Sequence, residues 1–211
     1  MTSTTEQLRQ RRTLLRHTRT EALERLRHLR SLRRRPSWRK AKRLLLAQAS
    51  TLAADAKALS LEPDHYIALL PEIRIERVPN MPAAVLSFYD RGTGQFVIHV
   101  RSAEPREEQR YQILTELKRI LDHPMFHRLY SPEADVCHAQ AQLAADLFAA
   151  SVLMPERGFR AAVRSCGADL IDLAIRFGVT KERALQRLIA LDLNGHIKGD
   201  RPKGDSHDDA E

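Results

Sequence analysis

Residues 72–100 form a β-rich segment in a chain that has helical periodicity before and after it. The run IRIERV alternates apolar residues loosely, and two further β-rich runs, AVLSFYD and QFVIHV, flank a turn. That turn contains Asp90, Gly92 and Gly94, a composition that favours a hairpin. One short group of strands between helical segments predicts an α+β fold with a small β-sheet.

Helical patterns predict the elements around these strands. One helix covers AKRLLLAQASTLAADAKALSL after Trp38 and ends before Pro63, and another covers residues 110–124. Near the end, a helix-turn-helix pattern has Gly178 at the bend and Thr180 as the N-cap of its second helix. Its apolar residues predict packing within the domain, namely Leu170, Leu173, Ala174, Phe177, Ala184, Leu185 and Leu188.

The positive charge of the chain is concentrated in its first fifty residues. Residues 1–50 contain 15 Lys and Arg against 3 Glu, a net charge of +12. Residues 51–211 contain 20 basic and 24 acidic residues, a net charge of −4. We therefore expect a basic arm at residues 1–45, a main domain at 46–198 and a disordered polar tail at 199–211.

Three roles are open for the basic arm. Leucines spaced three apart predict a narrow amphipathic helix that ends near Pro36. Such a helix could bind nucleic-acid phosphates through counterion release, lie on an anionic membrane, or remain a solvated or partner-docking helix. The candidate nucleic-acid contacts are Arg11, Arg12, Arg33, Arg34, Arg35, Arg39 and Lys40.

The sequence contains no run of about 18 to 20 apolar residues that would cross a bilayer, and no apolar signal segment at its start. The two cysteines, Cys137 and Cys166, do not form a disulfide framework or a zinc-knuckle spacing. We therefore expect a cytoplasmic protein.

The helix RYQILTELKRILDHP has the outline of the helix that carries the HExxH motif of zinc peptidases. Positions i and i+4 point to the same side of a helix, so two histidines there bind one zinc ion. Thr115 and Arg119 occupy those positions in this chain, and Glu116 is the only motif residue present. Threonine is a poor zinc ligand, and arginine has no lone pair to donate.

A helical wheel places the polar positions of this helix opposite an apolar stripe. Gln112, Thr115, Glu116 and Arg119 share the polar side, where Glu116 is expected to pair with Arg119 at i+3. These fifteen residues alone favour a charged surface helix over a degraded metal site. The stripe expected to face the core comprises Ile113, Leu114, Leu117, Ile120 and Leu121.

Several segments together resemble the ImmA/IrrE family of metallopeptidase-like proteins. They are the strands at 72–100, the motif helix with RILDHP at its end, the segment FAASVLMP, and the segment LAIRFGV. These segments occur in the order that the family shows, and the resemblance covers residues 45–193. Each segment alone is a weak signal, and the combination is specific.

The resemblance implies a zincin-like α+β domain in which a second helix supplies a glutamate as the third zinc ligand. By position, the two histidines correspond to Thr115 and Arg119, the glutamate of the motif to Glu116, and the third ligand to Gln142. All three ligand positions depart from the family pattern. A hydroxyl, a guanidinium and an amide do not replace two imidazoles and a carboxylate, so we expect no zinc cofactor and no peptidase activity.

The function expected from this resemblance is regulatory. Family members cleave or remove DNA-bound repressors in stress responses and mobile genetic elements. By analogy of fold, this protein would bind a transcriptional regulator or a peptide without cutting it. Two alternatives are an active metallo-endopeptidase with altered ligands and a nucleic-acid-binding protein that acts through the basic arm.

A relocated metal site would rescue the enzymatic alternative. One helix face has three donors at i, i+4 and i+8, and two histidines follow the motif helix. Pro124 lies between those two histidines and interrupts the helix there. The donors of such a site would be His138, Gln142, Asp146, His123 and His127.

Overall fold

The computed structural model describes residues 22–28 and 36–193. The chain divides into two compact units, the first ending at Leu153 and the second beginning at Met154. The predicted polar tail lies outside the described residues. So do five of the seven candidate nucleic-acid contacts, namely Arg11, Arg12, Arg33, Arg34 and Arg35.

The first unit contains a three-stranded sheet and the helices that pack on it. Strands β1 (Ile73–Val78), β2 (Val85–Asp90) and β3 (Gln95–Arg101) pair in the order β1-β3-β2, with β1 parallel and β2 antiparallel to β3. The helices are α1 (Ala22–His28), α2 (Trp38–Ala58), α3 (Pro63–Ile67), α4 (Arg106–Asp122), α5 (Phe126–Leu129) and α6 (Ala134–Leu153), with a 3-10 turn at His123–Met125 between α4 and α5.

The turn between β2 and β3 is the hairpin turn predicted from the sequence. The Asp90 carboxylate accepts a hydrogen bond of 2.7 Å from the Thr93 hydroxyl and one of 2.9 Å from the Gly92 backbone N–H. Gly94 has a φ of 71°, in the region that glycine adopts without strain. Hydrogen bonding, first from the Thr93 hydroxyl and then from Gly92, holds the pKa of Asp90 below its ordinary value.

The segment expected to be a basic arm is described at residues 22–28 and 36–45. Its first described part is helix α1, which packs on α2 and α4. Its apolar residues Ala22, Leu23 and Leu26 are buried. Its two arginines contact the protein itself, since Arg25 forms an ion pair with Asp55 and Arg27 donates to a backbone carbonyl of α4. The boundary expected at residue 45 falls inside α2.

A buried polar cluster joins α4 to α1 and α2. Lys118 donates hydrogen bonds of 2.7 Å to both carboxylate oxygens of Asp122, four residues later on α4. Lys118 also donates to Gln48 of α2 over 3.1 Å, and Gln48 donates to the backbone carbonyl of Leu26 over 2.9 Å. The Tyr130 hydroxyl donates to Asp122. The cluster therefore compensates two charges that have almost no exposure to water.

The second unit begins with α7 (Glu156–Cys166) and continues with α8 (Leu170–Phe177) and α9 (Lys181–Ala190). Gly178 ends α8 in the left-handed conformation, with φ 58° and ψ 46°. The Thr180 hydroxyl accepts a hydrogen bond of 3.4 Å from the Arg183 backbone N–H as the N-cap of α9. The predicted bend and cap are therefore confirmed. The buried residues of α8 and α9 are Leu173, Ala174, Ala184, Arg187 and Leu188.

The element order and the mixed sheet confirm the expected α+β fold. The strands cover 73–101 and the long helices lie where the periodicity placed them, although α4 begins at Arg106 and ends at Asp122. Within the described part of the chain, every helix is too short or too polar to cross a membrane.

Replacing Lys118 with Met should destabilise the first unit. The change leaves the Asp122 carboxylate buried without its counter-charge, which we expect to lower the free energy of unfolding by about 3 kcal/mol. Urea unfolding followed by the fluorescence of Trp38, the only tryptophan of the chain, measures this loss.

The matched control is Lys57→Met, because Lys57 is exposed on α2 and its replacement should change stability by less than about 0.5 kcal/mol. Replacing Lys118 and Asp122 together, with Met and Leu, should recover part of the loss. Equal stability of the Lys118→Met and Lys57→Met variants would show that the buried pair is not needed.

Candidate functional site

The motif positions of α4 are buried, whereas the helical wheel predicted a solvent-facing surface. Gln112 and Thr115 are each 6% exposed, and Glu116 is 2% exposed. The wheel was wrong here because α4 is covered on several sides, by β2 and β3, by α1 and by α6. Arg119 is the exception, with 43% of its side chain exposed.

Glu116 is held by two side chains in this buried position. The Ser87 hydroxyl of β2 donates a hydrogen bond of 2.6 Å to Glu116 Oε2. Arg119 Nη1 donates to Glu116 Oε1 in an ion pair one turn along the helix, which confirms the expected i+3 contact. Both carboxylate oxygens of Glu116 are therefore engaged with protein groups.

Arg119 continues this network from α4 to α6. Its Nη2 donates a hydrogen bond to Gln142 Oε1, and Gln142 Nε2 in turn donates to Asp146 Oδ2 over 2.8 Å. The structure thus brings together three of the four positions that the resemblance assigns to the zinc site, Glu116, Arg119 and Gln142. We call the series Ser87, Glu116, Arg119, Gln142 and Asp146 the Arg119 network.

Thr115 takes no part in the Arg119 network. Its hydroxyl donates a hydrogen bond of 2.8 Å to the backbone carbonyl of Gln112, on the preceding turn of its own helix. This back-bonding is a common way for threonine to satisfy its hydroxyl within a helix. The Thr115 hydroxyl therefore donates its hydrogen bond within α4.

The side chains at these positions do not fit a zinc ion. Zinc in peptidases takes imidazole nitrogens and carboxylate oxygens as ligands, each about 2.0 to 2.2 Å away. Here the guanidinium of Arg119 bridges Glu116 and Gln142, and it has no lone pair to offer. A second cation placed beside this permanent positive charge would be repelled.

A family model decides the classification of this chain. The model of the IrrE N-terminal-like domain matches residues 71–189, more than half of the 211 residues. The chain belongs to the IrrE N-terminal-like family. The resemblance proposed from the motifs is therefore confirmed, and with it the zincin-like α+β architecture.

A solved structure supports the fold of this IrrE N-terminal-like protein. A Mycobacterium tuberculosis transcriptional regulator superposes with a TM-score of 0.52 at 20% sequence identity, covering 66% of this chain and 45% of that one. The match spans less than half of that regulator, and at this identity the likeness concerns the fold alone. No curated protein shows significant sequence similarity to the chain.

The donors of the alternative, relocated metal site are spread over different environments in this IrrE N-terminal-like domain. His123 lies in the 3-10 turn and His127 in α5, whereas His138 has its Nδ1 2.7 Å from the backbone carbonyl of Ala134. Asp146 accepts from Gln142 in the Arg119 network. Within residues 22–28 and 36–193, no three His, Cys, Asp or Glu side chains are grouped as metal ligands would be.

Sequence reasoning missed Ser87 as a member of the network. Ser87 is one position in an alternating strand, and its neighbour Glu116 is 29 residues away. No motif marks such a residue, because its importance depends on how β2 packs on α4. Alternation along β2 places the Ser87 side chain on the same face of the sheet as Val85 and Tyr89, but it does not show which residue of α4 lies against that face.

A cavity of about 340 Å³ lies elsewhere in the first unit, beside β1. Its lining shares no residue with the Arg119 network. It includes Asp64 and His65 of α3 together with Ile75 and Arg77 of β1.

Replacing Arg119 with Met should lower the free energy of unfolding by about 1 to 3 kcal/mol. The buried Glu116 carboxylate would keep only the Ser87 hydroxyl, and the bridge to Gln142 would be lost. The effect is smaller than for a fully buried pair, since Arg119 is partly exposed to water. Urea unfolding measures the change.

Arg128→Met provides the matched control because Arg128 is exposed on α5. The double variant Glu116→Gln with Arg119→Met should be more stable than Arg119→Met alone, since it buries an amide in place of an unpaired charge. If Arg119→Met lowers the free energy of unfolding no more than Arg128→Met does, a structural role for the network is contradicted.

Proposed function

We propose that this protein is a non-catalytic regulatory binder. The proposed binding surface lies between the β2 edge and the Arg119 network, and we call it the cleft. It would hold a transcriptional regulator or a peptide segment of one without cutting it. The observation that carries the proposal is the Arg119 guanidinium, which links Glu116 to Gln142 at the positions where the family would bind zinc. A cation is thus already built into the chain at these positions.

The chemistry of the network argues against peptide hydrolysis. A peptidase glutamate acts as a general base on water that zinc has acidified to a pKa of about 7. Glu116 has both oxygens occupied, by Ser87 and by Arg119, and the neighbouring groups are not zinc ligands. The proposed role therefore depends on binding at the β2 edge of the cleft, and it needs no metal cofactor.

The β2 edge offers a place for an extended segment. Ala84 accepts a backbone hydrogen bond from the N–H of Arg101. In this register the even-numbered residues of β2 direct their backbone N–H and C=O groups toward β3, and the odd-numbered residues direct theirs away from it. Among the described residues no other strand pairs with β2. Val85, Ser87 and Tyr89 therefore direct their backbone groups outward, where an extended peptide adds to a sheet through main-chain hydrogen bonds.

Side chains of this edge strand favour a partly apolar ligand. Leu86, Phe88 and Tyr89 of β2 are 37%, 44% and 53% exposed. Long exposed edge strands are usually protected by charge or cover, so an apolar one marks a candidate binding surface.

A regulatory role also agrees with the family and with the structural relative. The relative is a transcriptional regulator, and the present chain matches 45% of it. Membership of the IrrE N-terminal-like family is consistent with binding at the cleft. The identity of the bound regulator and the loss of peptidase activity belong to the proposal.

Restoring the zinc ligands should restore zinc binding. The variant Thr115→His, Arg119→His and Gln142→Glu supplies two imidazoles and a carboxylate, and we expect about one zinc ion per chain after dialysis. The unaltered protein should hold far less than one. Elemental analysis by mass spectrometry measures both.

The matched control keeps Arg119 and changes only Thr115 and Gln142, which should leave zinc binding as low as in the unaltered protein. Near-stoichiometric zinc in the unaltered protein, with peptide hydrolysis that a chelator abolishes, would establish the active endopeptidase instead. Equal zinc content in the triple variant and its control would show that Arg119 does not block the site.

A proline at the edge should prevent peptide binding. Tyr89→Pro removes an outward-pointing N–H while keeping the pairing of β2 with β3, and edge strands tolerate proline at such positions. A peptide selected on the unaltered protein from a displayed random library serves as the probe. Its affinity, measured by fluorescence anisotropy, should fall at least tenfold for Tyr89→Pro.

Tyr89→Ala is the control for the lost side chain, since it keeps the backbone N–H. It should bind the same peptide within about threefold of the unaltered protein, a difference of roughly 0.6 kcal/mol. Equal losses for the alanine and proline variants would mean that main-chain pairing at the β2 edge does not hold the peptide.

A further inference from the structure

The first two turns of α2 carry four exposed cations. Arg39, Lys40, Lys42 and Arg43 are all exposed, and within the described part of the chain none of them has an ion-pair partner. Three arginines elsewhere in the first unit are instead paired with carboxylates. Arg25, Arg74 and Arg110 each lie within ion-pair distance of a carboxylate of the same unit.

This cluster opposes the electrostatics of its own helix. Ser37 caps the N-terminus of α2, and the first turn contains no acidic residue. The partial positive charge at a helix N-terminus favours carboxylates, and cations there are unfavourable. Arg39 and Arg43 stand at i and i+4, where like charges repel each other. Stability of the fold therefore gives no reason for four cations at this end.

The cations occupy the side of α2 that faces away from the core. With Arg39 at zero on a helical wheel, the four lie between about −60° and 100°, while the buried Leu45, Ala49, Leu52 and Ala56 lie between about 220° and 280°. Lys57 also projects at about 0°, roughly 27 Å further along the helix. The only carboxylate of α2, Asp55, pairs with Arg25. The charged residues of the outward face are thus all basic, and four of the five lie in the first two turns.

We propose that this outward face of α2, which we call the α2 cationic face, binds the phosphate backbone of double-stranded nucleic acid without reading its sequence. A rigid row of cations that needs no rearrangement releases condensed counterions when it meets phosphates. The α2 cationic face offers charge and no described base-reading motif, which predicts shape-tolerant binding. This role goes beyond the proposed binding of a regulator at the cleft.

An anionic membrane is the competing partner for a basic helix, and the packing of α2 disfavours it. An interfacial helix inserts its apolar side into the lipid boundary. The apolar side of α2 is occupied by the protein core. Leu46, 36% exposed, is the only exposed large apolar residue on the α2 cationic face. The exposed Trp38 lies on the core side of the wheel, at about 260°.

The test compares two triple variants of the full chain, each of which loses three positive charges. The first is Arg39→Ala, Lys42→Ala and Arg43→Ala in the α2 cationic face. The second, the control, removes three other exposed arginines as Arg91→Ala, Arg106→Ala and Arg128→Ala. Circular dichroism and thermal melting verify that both variants fold. Alanine favours helices, so α2 is preserved in the first variant.

Binding is measured by anisotropy with a fluorescent 30-base-pair duplex over a series of salt concentrations. Each phosphate contact contributes about 0.9 to the slope of log affinity against log salt, so three contacts contribute about 2.7. A rise from 50 to 200 mM salt should therefore weaken the unaltered protein about 40-fold more than the first variant. The control variant should keep the slope of the unaltered protein.

Three results would overturn the proposal. The first is equal slopes for the two variants, which would assign binding to net charge alone. The second is no binding of the duplex by the unaltered protein at 50 mM salt. The third is binding to vesicles of phosphatidylserine and phosphatidylcholine without binding to the duplex, which would identify a membrane surface. None of these results bears on the cleft, whose zinc and peptide tests are independent.

Discussion

The contact on which this interpretation depends is the bridge that Arg119 makes between Glu116 and Gln142. A metallopeptidase of this fold class joins its two helices through a metal ion. Here a guanidinium of the chain itself joins α4 to α6, and Ser87 extends the connection to β2. A permanent cation satisfies the buried carboxylate, and the same cation makes the position unsuitable for a dication.

Helix α4 carries a second compensated charge pair. Lys118 and Asp122 are buried and joined to Gln48, Leu26 and Tyr130. This helix therefore needs partners from several neighbouring elements, because each buried charge is costly without them. The Lys118 cluster and the Arg119 network thus lie on the same helix, and the second of them connects that helix to β2 through Ser87.

The structure gives the described basic residues near the N-terminus two different uses. Arg25 and Arg27 of α1 bind groups of the first unit, an aspartate and a backbone carbonyl. Arg39, Lys40, Lys42 and Arg43 of α2 face outward. The charge count of the segment is the same in either case, so composition alone does not distinguish a structural arginine from one available to a ligand. Packing of α1 and α2 makes that distinction.

The sequence by itself determined the strands, the glycine at the bend before α9, the Thr180 cap and the family. These features depend on local geometry, such as the left-handed conformation of Gly178, or on motifs that survive in order. Through the family resemblance, the sequence also predicted that Glu116, Arg119 and Gln142 lie in one site. Only the tertiary structure showed that Glu116 is buried, that Ser87 binds it, and that Thr115 turns back to its own helix. Burial and long-range pairing depend on which elements cover a helix, and a periodic pattern along one helix carries no information about its neighbours.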